Sequence, residues 1–192
     1  MNGNNNNIPS WAHDQLVHGY WVIEDRLLAT EYPGAKERDK AELKLGTLLD
    51  AGVTTFVDLT EAGEMTRGGD RMKPYDAILR DVAAKRGLAV NYRRHPIRDN
   101  SITTDDRYDA ILEHISAELA AERVVVLHCW GGKGRTGTVV GSWLIDAEGL
   151  GYPAVLDRMA ELRRGSRKDD HPVPDTPEQH DVLRRRAQRM GA

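Results

Sequence analysis

One segment constrains this chain more than any other: His128-Cys129-Trp130-Gly131-Gly132-Lys133-Gly134-Arg135-Thr136-Gly137. It lies between an apolar, strand-like run at 124–127 and a helix-like run that starts at Arg135. Glycines at 131, 132 and 134 open backbone conformations closed to other residues, so successive N–H groups converge on one point as an anion-binding nest. The helix that follows adds its uncapped N–H groups and the positive end of its dipole. A fold that accommodates this stretch has to end a buried strand, curl the chain and begin a helix around a single tetrahedral anion.

Cys129 is the only cysteine. A free thiol has a pKa of about 8.5, which a nest, a helix dipole and a nearby cation lower to roughly 3.5–7.5. Arg135, six positions on, is placed to fold back over the loop with its planar fork on two oxygens, a grip lysine does not reproduce. Thr136 brings a hydroxyl close to the sulfur. Buried structural cysteines are common, but such a role accounts for neither the glycines nor Arg-Thr-Gly.

Hydrophobic periodicity lays out the rest. Short apolar runs at 21–23 and 27–29 predict an edge hairpin, 53–59 a buried strand and 88–92 another. Helical stripes fall at 36–51, at 74–87 with Pro74 in the first helical position, from Asp105 and Asp106 onward, after Arg135, at 153–164 and at 177–190. Residues 60–73 and 96–104 read as loops, residues 1–10 as a disordered polar tail and 11–192 as a single domain. Strands alternating with helices predict an α/β fold, a central, mostly parallel sheet of about four or five strands flanked by helices. Its ligand is expected beyond the carboxyl ends of the strands, where Cys129 falls.

The chain has 192 residues, 40% of them apolar, enough for one real core. A net charge of −3 gives no argument for nucleic acid or membrane binding. One cysteine excludes an internal disulfide framework and a multi-cysteine metal site, and a reactive thiol favours a reducing, cytoplasmic setting. The start shows no secretory pattern, and no apolar stretch is long enough to span a bilayer.

A cysteine, five residues, Arg-Thr-Gly and a preceding His resemble the phosphate-binding loop of the cysteine-dependent protein tyrosine phosphatase superfamily. The chain looks most like its dual-specificity branch and like microbial kinase-associated phosphatase-like members. The resemblance implies a protein tyrosine phosphatase-like fold and hydrolysis of phosphate monoesters through a cysteinyl-phosphate, with no metal or cofactor. The substrate would be a phosphorylated protein or a small phosphomonoester. It implies Cys129 as nucleophile, Arg135 with Trp130, Gly131, Gly132, Lys133 and Gly134 as the phosphate-binding loop, Thr136 beside the leaving sulfur and His128 in support behind the loop.

The leaving oxygen needs a proton, worth about 10²–10⁴-fold. Asp99 lies in a turn-like loop thirty positions before Cys129, where the resembling phosphatases carry their general acid. Asp105 and Asp106 compete, but first-turn carboxylates already have a partner in the helix dipole. Gln179 has two readings: a capping box with Thr176, or the water-positioning glutamine of tyrosine-specific relatives. Asp58 and Glu61 read either as buttresses of the loop and Arg135 or as a solvated strand end. Lys133 is shared with the lipid-phosphatase branch, whose further lysine after the cysteine is Trp130 here, so a phosphoinositide or inositol phosphate is an alternative substrate. Arginine clusters at 93–94, 163–168 and 184–186 read as solvated surface. Two other classes stand beside the enzyme: a non-catalytic phospho-binding module, and a rhodanese-type sulfurtransferase, which Arg-Thr-Gly and Asp99 argue against.

Overall fold

The valine-rich run ahead of Cys129 is the middle strand of a five-stranded sheet. The computed structural model describes residues 10–66 and 68–191. The tail reading for 1–10 lies outside these except at Ser10, whose Oγ accepts a hydrogen bond from Trp21 N at 3.1 Å. The chain runs β1 (Gly19–Ile23), β2 (Leu27–Thr30), α1 (Arg38–Asp50), β3 (Val53–Asp58), α2 (Asp76–Lys85), β4 (Asn91–Arg94), α3 (Asp105–Ala120), β5 (Val124–His128), α4 (Gly134–Glu148), α5 (Tyr152–Arg163) and α6 (Pro177–Met190). The sheet order is β1-β2-β5-β3-β4. Among the named strands the β1–β2 hairpin pairs antiparallel, whereas β5 runs parallel to both β2 and β3, and β3 to β4.

Period-two alternation divides the strands between two cores. Leu27, Ala29, Val57, Val125 and Leu127 pack with Ile111, Val139, Val140 and Leu183 on the face covered by α3, α4 and α6. Leu28, Phe56 and Val126 pack with Leu45, Leu48 and Leu79 on the face covered by α1 and α2. Each of these side chains larger than alanine, fully removed from water, contributes about 1.5–3 kcal/mol. Cys129 continues the first face and His128 the second, so the two residues diverge to opposite sides of the sheet end.

Two boundaries differ from the sequence reading for local reasons. The strand expected at 88–92 is β4, shifted toward its C-terminal side. Gly87 adopts φ +67 and Leu88 N donates to Ala83 O at 3.0 Å, so Leu88 belongs to the C-terminal cap of α2. Pro74 does not open α2; Tyr75 takes the capping position, and the helix begins at Asp76.

Helix α4 leaves the sheet through a narrow gap. A Cβ on Gly137 would sit 2.2 Å from Val173 Cγ1, a stiff β-branched neighbour. Gly137→Ala gains about 1 kcal/mol in helix propensity and loses about 1–3 kcal/mol to overpacking, with the clash dominant. The thermal midpoint should fall by roughly 2–8 °C, measured by calorimetry.

Candidate active site

Sequence places Cys129 directly after the central strand, and the structure puts it at the floor of a cavity of about 380 Å3. Arg135, Asp99, Trp130, Gly131, Lys133, Gly134 and Gln179 line the same cavity. The sulfur-bearing residue is 3% exposed and borders the cavity.

The loop curls as the glycines allow. Gly132 has φ +71, and a Cβ there would lie 2.8 Å from the Thr30 and Glu31 backbone. Trp130 O accepts from Tyr32 N at 3.0 Å, and Gly131 O accepts from Lys168 Nζ at 3.1 Å, which turns these carbonyls outward from the loop. The backbone N–H groups of Gly131, Gly132 and Lys133 find no protein acceptor among the described residues. Helix α4 starts behind them with no side-chain cap. Uncommitted N–H groups and an uncapped helix start favour an anion here.

Arg135 is 2% exposed and held from three sides. Its Nη1 donates to Glu64 Oε2 at 2.6 Å and to Ile97 O at 2.9 Å. Its Nη2 donates to Glu64 Oε1 at 2.7 Å and to Asp99 Oδ1 at 2.8 Å. Burial works against its charge, but the bonds it donates to Glu64 and the charges of Cys129, Glu64 and Asp99 outweigh it and hold the guanidinium above its ordinary pKa. The sequence reading missed Glu64. It sits on the 60–73 loop, where Met72 N donates to Glu64 O and Glu61 N donates to Glu64 Oε2. Glu61 itself is exposed and does not reach Arg135.

His128 is fully buried. Its Nδ1 lies 3.2 Å from Cys129 O, which only accepts, so Nδ1 carries the proton and Nε2 accepts from Tyr75 OH at 2.5 Å. Burial lowers its pKa and outweighs the opposing pull of the Asp58 carboxylate and the Cys129 carbonyl, which favours the neutral ring. The solvated strand end considered for Asp58 is not found. Asp58 is 0% exposed, accepting from Thr60 N and Oγ1, Tyr92 OH and Arg94. Burial raises its pKa, but the coupling to the His128 ring, which gains its proton before Asp58 does as pH falls, and the bonds from Thr60 and Tyr92 win, and the carboxyl is held below its usual range.

Asp99 is half-exposed on the loop after β4, its second oxygen accepting from Asn100 Nδ2 at 3.1 Å. Asp105 and Asp106 occupy the first turn of α3, where Thr104 caps the helix, and neither lines the cavity. Both readings of Gln179 meet in one side chain. Its Oε1 accepts from Asp175 N and Thr176 N within a capping box, while its Nε2 donates to Ser101 O and the residue borders the cavity. Thr136 Oγ1 is buried with no hydrogen-bond partner among the described residues. Lys133 pairs with Asp175 at 3.2 Å, and Lys168, read from sequence as surface, pairs with Glu31 at 2.9 Å on the cavity wall.

Glu64→Ala leaves the Arg135 guanidinium buried with one of its two carboxylates gone. Breaking a buried pair in this way costs about 3–5 kcal/mol, read as a lower denaturant midpoint at unchanged slope.

Comparison with known proteins follows this geometry. Residues 19–190 match the family model described as Swiss Army Knife protein, DSP-PTPase phosphatase domain. The structure of Tk-PTP in its active form superposes with a TM-score of 0.66 at 26% identity, covering 89% of this chain and 97% of that one. PTPMT1 in complex with PI(5)P shares the fold at 17% identity and a TM-score of 0.64, over 90% and 96% of the two chains. The uncharacterised protein MJ0215 of Methanocaldococcus jannaschii is 44% identical over 48 residues, 25% of this chain and 30% of that protein. The chain thus matches under a third of that curated relative.

Proposed function

The chain belongs to the DSP-PTPase phosphatase domain family, and from that premise we propose that it hydrolyses phosphate monoesters through a phosphocysteine on Cys129. The observation that carries this reading is the convergence of Cys129, Arg135 and Asp99 on one cavity whose floor offers uncommitted backbone N–H groups. The substrate class it supports is a phosphorylated protein side chain or a small phosphomonoester. The setting suited to a reactive thiol is the cytoplasm, and no helix among the described residues is long and apolar enough to cross a membrane.

In the first step the Cys129 thiolate attacks phosphorus, the bond to the leaving oxygen breaks, and Asp99 delivers a proton to that oxygen. In the second, water attacks the phosphocysteine, Asp99 takes its proton, and the thiolate leaves toward the Thr136 hydroxyl. That hydroxyl has no hydrogen-bond partner among the described residues, which suits the role. The transferring phosphoryl group is loose in its transition state, so loop amides and Arg135 contribute mainly by position and electrostatics. No step calls for a metal.

Asp99 has a second consequence. Its carboxylate takes an Arg135 N–H on the side that borders the cavity, so an entering phosphate competes with it. Substrate binding therefore releases Asp99 from the guanidinium and frees it to reach the leaving oxygen. Lys133 and Lys168 are each neutralised by a carboxylate on the wall, which favours a substrate with a single phosphate at this site over a phosphoinositide or inositol polyphosphate.

Cys129→Ser should abolish turnover of an aryl phosphate while retaining orthovanadate binding; turnover near the native rate would contradict the mechanism. Asp99→Ala should slow alkyl or unactivated aryl phosphates by about 10²–10⁴-fold and activated ones much less. The same variant should bind inorganic phosphate at least as tightly as the native protein, checked by product inhibition.

A further inference from the structure

Strand β4 is the sheet edge, and between it and α3 lies a groove of about 200 Å3 lined by Arg93, Arg94, His95, Thr103, Arg107 and Ile111. No carboxylate among the described residues borders it. Arg94 is committed to Asp58. Arg93 and Arg107 have no acidic partner among the described residues, although acidic residues are plentiful on α3. Those acids are taken elsewhere: Asp105 by Arg189 at 3.2 Å, Asp109 by Arg186 at 2.7 Å and Glu118 by Arg123 at 2.8 Å. Asp106 and Glu113, on the same helix, do not line the groove.

Two exposed arginines alone are ordinary surface. What sets this pair apart is a shared concavity, the absence of counter-charge and the chain that forms the wall. Pro96 and Ile97 border the groove, and Ile97 O is an acceptor for Arg135 Nη1. Asp99 follows two residues later. His95 is fixed in the same wall, its Nε2 3.0 Å from His114 Nδ1. Burial, with the charges of His114 and Arg93, pushes its pKa down to about 4, so it enters as a neutral hydrogen-bonding ring.

We propose that this groove is a second oxyanion site, distinct from the catalytic loop, in which Arg93 and Arg107 clamp a phosphate group. Two guanidinium forks match a tetrahedral dianion, and the Thr103 hydroxyl and His95 supply further polar contacts on the wall. The phosphate has two possible sources, free inorganic phosphate or a second phosphorylated residue on the protein substrate. Either one, once bound, braces the segment that holds Arg135 and carries Asp99.

The test is a titration of the isotopically labelled native protein with inorganic phosphate, followed by amide NMR. Amides at 93–97 and 103–107 should shift and saturate on their own curve, separate from those at 129–136. In Arg93→Ala/Arg107→Ala the first curve should weaken at least about tenfold. The loop curve and kcat for a small aryl phosphate should stay unchanged. Groove amides that do not move, or that move identically in the double variant, overturn the inference. If the groove responds and the 129–136 amides do not, the phosphatase reading fails and this one stands. Peptides carrying one or two phosphorylated residues separate the sources. A preference for the doubly phosphorylated peptide that the double variant loses assigns the phosphate to the substrate. Equal kcat/KM values with the groove curve intact assign it to the free anion.

Discussion

A guanidinium almost wholly withdrawn from water, yet fully charged, is the constraint around which this molecule is arranged. Desolvating an arginine costs several kcal/mol unless its donors are all met in good geometry. Here the four N–H bonds of the two terminal nitrogens go to Glu64 twice, Ile97 O and Asp99. Those partners come from the loops after β3 and β4, so Arg135 on α4 ties together the carboxyl ends of strands that the sheet holds only side by side. The cost of leaving any of these bonds unmade fixes where the two loops can lie. The same bonds hold the guanidinium in the wall of the cavity.

Beneath the loop a second polar layer does the corresponding work from the opposite face of the sheet. Neutral His128 donates to the carbonyl of Cys129 and accepts from Tyr75, while ionised Asp58 collects Thr60, Tyr92 and Arg94. Every partner in this layer is itself buried or half-buried, which limits rearrangement and keeps the backbone of Cys129 in one orientation. A sulfur positioned in this way owes its placement to residues that line no part of the cavity, and the chemistry proposed for it depends on that rigidity.

How much of this was legible in sequence follows from how local each cause is. The 128–137 loop could be read directly because its glycines, cysteine and arginine act over ten consecutive positions. The cap at Thr176–Gln179 was equally readable, since its donors and acceptors lie within four residues. Glu64 was not, because its partner is 71 positions away and nothing in the 60–73 loop marks one carboxylate among several. Asp58 gave a signal, a carboxylate ending a β-branched strand, but its burial depends on Tyr92 and Arg94 arriving from a neighbouring strand. Lys168 lay in a basic run that sequence assigns to surface, and only the path of the chain between α5 and α6 brings it to Gly131 O. The β4 boundary moved for a reason that is local but subtle: Gly87 in the left-handed region lets α2 claim Leu88 before the strand can begin.

The charge arrangement at the cavity bears on what can enter it. Lys133 faces Asp175, Lys168 faces Glu31, and Arg135 faces both Glu64 and Asp99, so each cation already has a carboxylate within 3.2 Å. Long-range attraction of a phosphate is therefore weak, because paired charges cancel beyond a few ångströms and salt screens what is left. Capture has to come at short range, from loop amides and the helix start, which respond to an anion only when it sits within hydrogen-bond distance. Such a site discriminates by fit rather than by total charge: a compact phosphate monoester reaches the amides, whereas extra anionic groups on the substrate meet cations that are already engaged. The groove between β4 and α3 has the opposite character, two arginines with no paired acid among the described residues, and is where a surplus negative charge would meet an unneutralised partner. A phosphatase divided in this way would keep the chemistry and the attraction of anions in separate places on one sheet.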